Sequence, residues 1–314
     1  MIPRPCCAIG SSFLKLPLQA TLLSRLVRSP QRYWQFDEGP FARVALRISR
    51  GLGKIRGSYA WQQAVTTYAR KLGCLSSGNF LVVGAARSGT TLLVDYLNCH
   101  PRVRCRGEIL NSDYGYYGNP RGMEKERLKL HIESFFVKRR NTMVGAKILT
   151  YQLDEAQIGM ADLLELLHQP RIIVLYREQI LEQYASLKLA EHTGVWHSNK
   201  PAVSDPIRVD RRDFVGFAER ELRMWRENLD ALDASGVHYL SYEELTSRPN
   251  EAMRDVFEFL GLKCCPVESF VVKLHDKPLS TKLANFEEFG ESEMPANAIL
   301  RLPFPLEFEQ RKAA

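Results

Sequence analysis

No acidic residue occurs before Asp37, no apolar run is clean enough to span a bilayer, and no cysteines show the Cys-x-x-Cys spacing of a zinc site. Each absence excludes something. Residues 6–24 are moderately apolar but carry Lys15, Pro17 and Gln19, whereas a membrane span needs about twenty predominantly apolar residues. The seven cysteines (Cys6, Cys7, Cys74, Cys99, Cys105, Cys264 and Cys265) read as mostly free, buried thiols. Cys99 and Cys105 are close enough in sequence to pair only if the compartment oxidises. His131, His168, His192, His197, His238 and His275 have no ligand spacing, so no metal is expected. Internal repeats and low-complexity tracts are absent as well.

The charge is unevenly placed. Of a net +7, residues 1–78 carry twelve Lys and Arg against Asp37 and Glu38 alone, a local +10 that leaves the rest of the chain at −3. A uniformly basic nucleic-acid binder would not look like this, so no nucleic-acid partner is expected. With 45% hydrophobic and 25% charged residues, the 314-residue chain has the composition of one globular domain bearing a basic N-terminal extension. The extension suits a targeting peptide, a weak signal anchor or a disordered basic tail. Within it, Phe41, Val44, Ile48, Leu52 and Ile55 fall at helical spacing opposite Arg43, Arg47, Arg50 and Lys54. Residues 41–59 could therefore touch a membrane surface peripherally or pack on the domain. A cytoplasmic or membrane-associated location fits this, and a Golgi-lumenal or organellar one stays open, as does a homodimer.

The most informative stretch is Asn79-Phe-Leu-Val-Val-Gly-Ala-Ala-Arg-Ser-Gly-Thr-Thr91. Phe80–Val83 is the short apolar run of a buried strand, and Leu92, Leu93 and Tyr96 have helical spacing after a glycine-rich turn. Such a turn aims backbone N–H groups at an anion, aided by about half a positive charge from the helix dipole. Gly84 and Gly89 are spaced as in a P-loop, but Thr90 stands where a P-loop kinase has its lysine, and the loop's only cation is Arg87.

Downstream, strands are predicted at 144–149, 171–176 and 237–241. Helices are predicted at 160–168, 178–192 and 213–232, with another ending at Gly261. Alternation of this kind predicts an α/β fold, a P-loop-type, mainly parallel sheet with helices on both faces, its functional residues directly after the strands. Arg177 follows the strand 171–176 at once, and Ser186 lies nine residues on.

Arg87-Ser-Gly-Thr-Thr91 resembles the 5′-phosphosulfate loop of sulfotransferases that use 3′-phosphoadenosine 5′-phosphosulfate (PAPS). The resemblance implies that Arg87, Ser88, Gly89, Thr90 and Thr91 hold the phosphosulfate, while Arg177 and Ser186 hold the 3′-phosphate. Ser186–Trp196, which runs into Thr-Gly-x-Trp, is similar to the nodulation-type and trehalose-type branch and implies a carbohydrate acceptor. Tyr242-Glu-Glu-Leu is similar to the segment whose tyrosine contacts the adenine side. Lys273–Asn285 looks like the late loop closing over the nucleotide, which brings in Lys273 and Ser280. The catalytic domain then covers 79–314, with PAPS as co-substrate and no metal.

A base must take the acceptor's proton. Glu108 stands in a loop among Arg102, Arg104 and Arg106, at a place where glycan and tyrosyl-protein sulfotransferases carry a glutamate. His100 is its rival. Lys147-Ile-Leu stands where soluble sulfotransferases read Lys-Thr-His, keeping the lysine and losing the histidine, which favours Glu108 as base and Lys147 as the cation beside the sulfuryl group. The acceptor loops, 109–143 and 194–212, carry Tyr114, Tyr116, Tyr117 and Trp196. A phenol or tyrosine acceptor, a small-molecule P-loop kinase, and an inactive nucleotide-binding protein are the competing readings.

Overall fold

The apolar run beginning at Phe80 becomes the central strand of the protein. The structure, a computed structural model, describes residues 62–63, 66–67, 80–111, 119–136, 142–196, 205–232, 236–269 and 278–289. Its strands are β1 (Phe80–Gly84), β2 (Val103–Glu108), β3 (Met143–Leu149), β4 (Arg171–Tyr176) and β5 (Val237–Ser241). They form one parallel sheet in the order β2-β3-β1-β4-β5. The helices are α1 (Thr90–Leu97), α2 (Lys125–Phe135), α3 (Thr150–Ala156), α4 (Met160–Leu166), α5 (Ile180–Thr193), α6 (Arg211–Leu229), α7 (Tyr242–Ser247), α8 (Pro249–Phe259) and α9 (Leu279–Lys282).

Side chains alternate across a strand, and β1 uses both faces for packing. Phe80 and Val82 meet Leu93 and Leu97 of α1 and Met253 and Phe257 of α8. Leu81 and Val83 join the opposite core with Ile132 of α2, Leu163 of α4, Tyr184 of α5 and Phe214 of α6. A parallel sheet buried on both faces needs such continuous apolar strands. The predicted α/β architecture is therefore the observed one.

Two segments differ from their sequence reading. The Arg102–Glu108 region is the edge strand β2 rather than a loop. Val103 and Cys105 point inward while Arg104 and Arg106 lie on the half-exposed side, so basic residues mask a period-two pattern. The region 109–143 likewise contains a helix, α2. The helix expected to carry Met253, Val256, Phe257 and Leu260 and to stop at Gly261 is α8, started by Pro249, with the separate short helix α7 ahead of it. Packing also reaches ahead of residue 79. Gln62 and Thr66 are buried, and the Gln62 amide lies 2.9 Å from Nδ1 of His131, whose Nε2 donates to the Ile109 carbonyl at 2.8 Å. The basic helix expected at 41–59 lies outside the described residues. Among those described, no helix is long and apolar enough to cross a membrane.

The Phe80 ring on β1 lies over Gly145 of β3, which has no side chain to displace it. A Cβ there would stand 2.3 Å from the buried ring of Phe80. Gly145→Val is expected to lower stability by about 1–3 kcal/mol through overpacking. Gly236→Ala, where the added carbon meets open space, should stay within about 0.5 kcal/mol. Urea unfolding of the two variants checks the contrast.

Candidate active site

β1 is the point where the sheet's connectivity reverses. β3 and β2 lie to one side of it, β4 and β5 to the other. A crevice forms beyond the carboxyl ends of the strands at such a point. Gly84, Glu108, Lys147, Arg177 and Tyr242 all lie at that edge of the sheet or immediately after it.

The loop Ala85–Gly89 is held from within. The Ser88 hydroxyl donates to the Ala85 carbonyl at 2.8 Å and is fully buried, so it closes the turn. Arg87 (φ 63°) and Gly89 (φ 92°) both adopt the left-handed conformation, which for a non-glycine residue is strained. Gly89 is also the cap residue of α1, with no side-chain cap, which leaves the first N–H groups of the helix without side-chain partners. A Cβ on Gly89 would strike the Tyr242 ring at 2.4 Å. Arg87 donates from Nε to the Ser186 hydroxyl at 3.2 Å and from Nη1 to the Trp196 carbonyl at 2.7 Å. Ser186 therefore stands against the loop Ala85–Gly89 rather than beside Arg177. Trp196 is 39% exposed.

Glu108 and Lys147 are paired by a β-bulge. The register steps from Arg106 opposite Ala146 to Glu108 opposite Lys147, leaving Gly107 as the extra residue. Lys147 Nζ lies 2.6 Å from Glu108 Oε1 and donates to the Thr91 hydroxyl on α1 at 3.2 Å. The other carboxylate oxygen accepts from Asn111 at 2.5 Å and Gln152 at 2.8 Å. Burial pushes the Glu108 carboxyl up. The Lys147 charge and the three hydrogen bonds outweigh it and hold the group at about 2. Asn111 and Gln152 escaped the sequence reading. Gln152 has a second job that disguised it, since its Oε1 accepts from the Leu149 N–H and caps α3.

His100 is elsewhere. Its Nδ1 accepts from the Arg102 N–H at 3.1 Å, and its Nε2 faces the Lys263 carbonyl at 3.1 Å beside Phe257. Both ring nitrogens are engaged before β2 begins, so no proton acceptor remains for the crevice.

On the far side, Arg177 is 6% exposed. Its guanidinium stacks over the Tyr242 ring at 4.6 Å and pairs with Glu182 at 3.2 Å. Glu182 also binds Lys282 at 2.9 Å. One carboxylate thus holds two buried cations together, in the way that a phosphate group would. Lys282 lies inside the late segment singled out from the sequence, but Ser280 there is exposed, and Lys273 lies outside the described residues. Glu182 gave no sequence signal. Tyr242 bridges the two halves, its ring against Gly89 on one side and Arg177 on the other. Tyr114, Tyr116 and Tyr117 are outside the described residues. Among the described residues no group of three or more His, Cys, Asp or Glu could hold a metal ion, and Cys99, Cys105, Cys264 and Cys265 are free thiols.

Residues 79–266 match the model of the sulfotransferase family. The chain belongs to the sulfotransferase family. This sulfotransferase is 27% identical over 220 residues to nodulation protein H of Rhizobium tropici, covering 67% of the chain and 86% of that protein. It is 26% identical over 226 residues to nodulation protein H of Rhizobium meliloti strain 1021, covering 67% and 88%. Among solved structures, it is similar to a sulfotransferase from Mycobacterium avium, 12% identical with a TM-score of 0.46, over 83% of this chain and 87% of that one.

The Glu108–Lys147 pair carries a pH signature. With its folded pKa depressed to about 2, Glu108 contributes stability that is present above the ordinary carboxylate range near 4.5 and lost as pH falls toward 2. Lys147→Met is expected to cost about 3–5 kcal/mol at pH 7 by stranding a buried carboxylate. It should also raise the Glu108 pKa, so that this variant gains stability, relative to wild type, as pH falls through the raised value. A Glu108→Gln/Lys147→Met double variant should recover much of the loss. Denaturant unfolding across pH checks both the cost and the reversed slope.

Proposed function

We propose that this sulfotransferase moves the sulfuryl group of PAPS to a hydroxyl of a carbohydrate acceptor. The observation that carries the reading is the buried Lys147–Glu108 pair facing Thr91 of the phosphate-type loop. It brings a proton acceptor and a cation together at the mouth of an anion cradle. In this proposal Arg87, Thr91 and the N–H groups at the start of α1 hold the 5′-phosphosulfate. Arg177 and Lys282 take the 3′-phosphate as Glu182 yields its place, with Tyr242 on the adenine side.

Glu108 then accepts the proton of the acceptor hydroxyl as its oxygen attacks sulfur. The bond from sulfur to the bridging phosphate oxygen breaks, and adenosine 3′,5′-bisphosphate leaves. Lys147 stabilises the charge that grows on that bridging oxygen. A carboxyl held at about 2 is a weak base. When Lys147 turns toward the anionic donor, the largest charge holding Glu108 down is withdrawn, and the carboxylate gains basicity when the donor is in place. The carbohydrate reading rests on the likeness of Ser186–Trp196 to the nodulation-type and trehalose-type branch. Two of the chain's relatives carry the name nodulation protein H.

The test is transfer of radiolabelled sulfonate from PAPS to a panel of glycans, phenols and lipid alcohols, without added divalent metal. A glycan product is expected; label on phenols alone would overturn the acceptor class. Adenosine 3′,5′-bisphosphate should raise the melting temperature without Mg²⁺, and Arg177→Ala should weaken it by about 1.5–3 kcal/mol through the lost charge-assisted contact. Stronger stabilisation by ATP–Mg²⁺ than by the bisphosphate would favour the kinase reading instead.

A further inference from the structure

Beneath the phosphate-type loop lies a polar cluster that none of the roles above employs. Gln183 on α5 is fully buried, and its amide nitrogen donates to the Ala86 carbonyl at 2.8 Å. The same nitrogen lies 3.4 Å from Oε2 of Glu221 on α6, itself only 7% exposed. The amide oxygen of Gln183 is buried with no hydrogen-bond partner. Burial pushes the Glu221 carboxyl up to about 7, opposed by the Gln183 hydrogen bond and the Arg220 charge on its own helix. A buried amide with one end unsatisfied and a buried carboxyl beside it are costly in a core. Their arrangement has a reason if it fixes something.

What it fixes is one peptide plane. In a trans peptide the carbonyl and the following N–H point in opposite directions. Holding the Ala86 carbonyl down on α5 therefore turns the Arg87 N–H away from α5. Arg87 is the residue that carries the strained positive φ of 63°, and its side chain is the loop's cation. We propose that Gln183, itself held by Glu221, is a positioning residue that sets the Ala86–Arg87 peptide, so that the Arg87 N–H faces the 5′-phosphate of the donor. The inference rests on the PAPS reading above and adds a relay from α6 through α5 to the loop.

The test uses the full chain with adenosine 3′,5′-bisphosphate as probe, followed by calorimetry, and with steady-state kinetics on PAPS. Gln183→Leu is expected to weaken the bisphosphate about tenfold, the size of one well-aimed hydrogen bond to a charged group. It should raise KM for PAPS in step, with KM for the acceptor and kcat at saturating donor within about twofold. Glu221→Leu keeps an apolar core intact and covers the case in which Gln183→Leu does not fold. It should melt at or above the wild-type temperature yet bind the bisphosphate several-fold more weakly, whereas Glu221→Gln should bind like wild type. A merely structural pair would move the melting temperature and leave the affinity of folded protein alone. Unchanged affinity in folded Gln183→Leu or Glu221→Leu would overturn the inference while leaving the PAPS reading intact. A wild-type protein that does not bind the bisphosphate would overturn both.

Discussion

The ion pair between Lys147 and Glu108, 2.6 Å long and almost closed to solvent, is the constraint on which the arrangement of the crevice depends. Neither group is stable alone at that depth, because removing one partner leaves an uncompensated buried charge. The pair forms only because Gly107 is the extra residue of a bulge that sets Glu108 opposite Lys147 across the β2–β3 ladder. Asn111 after β2, Gln152 on α3 and Thr91 on α1 complete it. An edge strand, a central strand and the phosphate-type helix are thereby tied together at one point.

A second linkage runs across the other half of the sheet. The Tyr242 ring lies where a side chain on Gly89 would stand, and Arg177 stacks on that ring. Gly89 is thus required twice, for its left-handed backbone and for the space above it. The Glu182 carboxylate holds Arg177 and Lys282 together. In the proposed reaction, the incoming 3′-phosphate takes over a position already balanced for a negative group, so binding exchanges one anion for another with little rearrangement of the cations.

Much of the fold was legible in the sequence, because β1, β3, β4 and β5 are apolar runs bounded by turn residues. The strand 171–176 is observed with its predicted bounds. β2 was not legible: as an edge strand it tolerates Arg104 and Arg106 on its open face, and charge hid its periodicity. The phosphate-type loop, Lys147 and Arg177 could be found because each follows or sits within a recognisable strand. Gln152, Glu182, Gln183 and Glu221 could not, since each acts across tens of residues of sequence from a helix, and Asn111 stands in the turn after β2, where no periodicity marks it. His100 looked like a rival base only until both of its ring nitrogens were seen to be engaged.

The central claim is that Glu108 removes the acceptor's proton. Glu108→Gln keeps the shape of the side chain, and its amide oxygen can still accept from Lys147, while proton acceptance is abolished. The direct measurement is single-turnover sulfuryl transfer from saturating PAPS, read beside the affinity for adenosine 3′,5′-bisphosphate. The account predicts a rate lowered by roughly 10²–10⁴ with nucleotide affinity within a few-fold of wild type. An undiminished rate would contradict it and place the base elsewhere. Loss of rate and nucleotide binding together would make Glu108 a structural partner of Lys147 rather than the base.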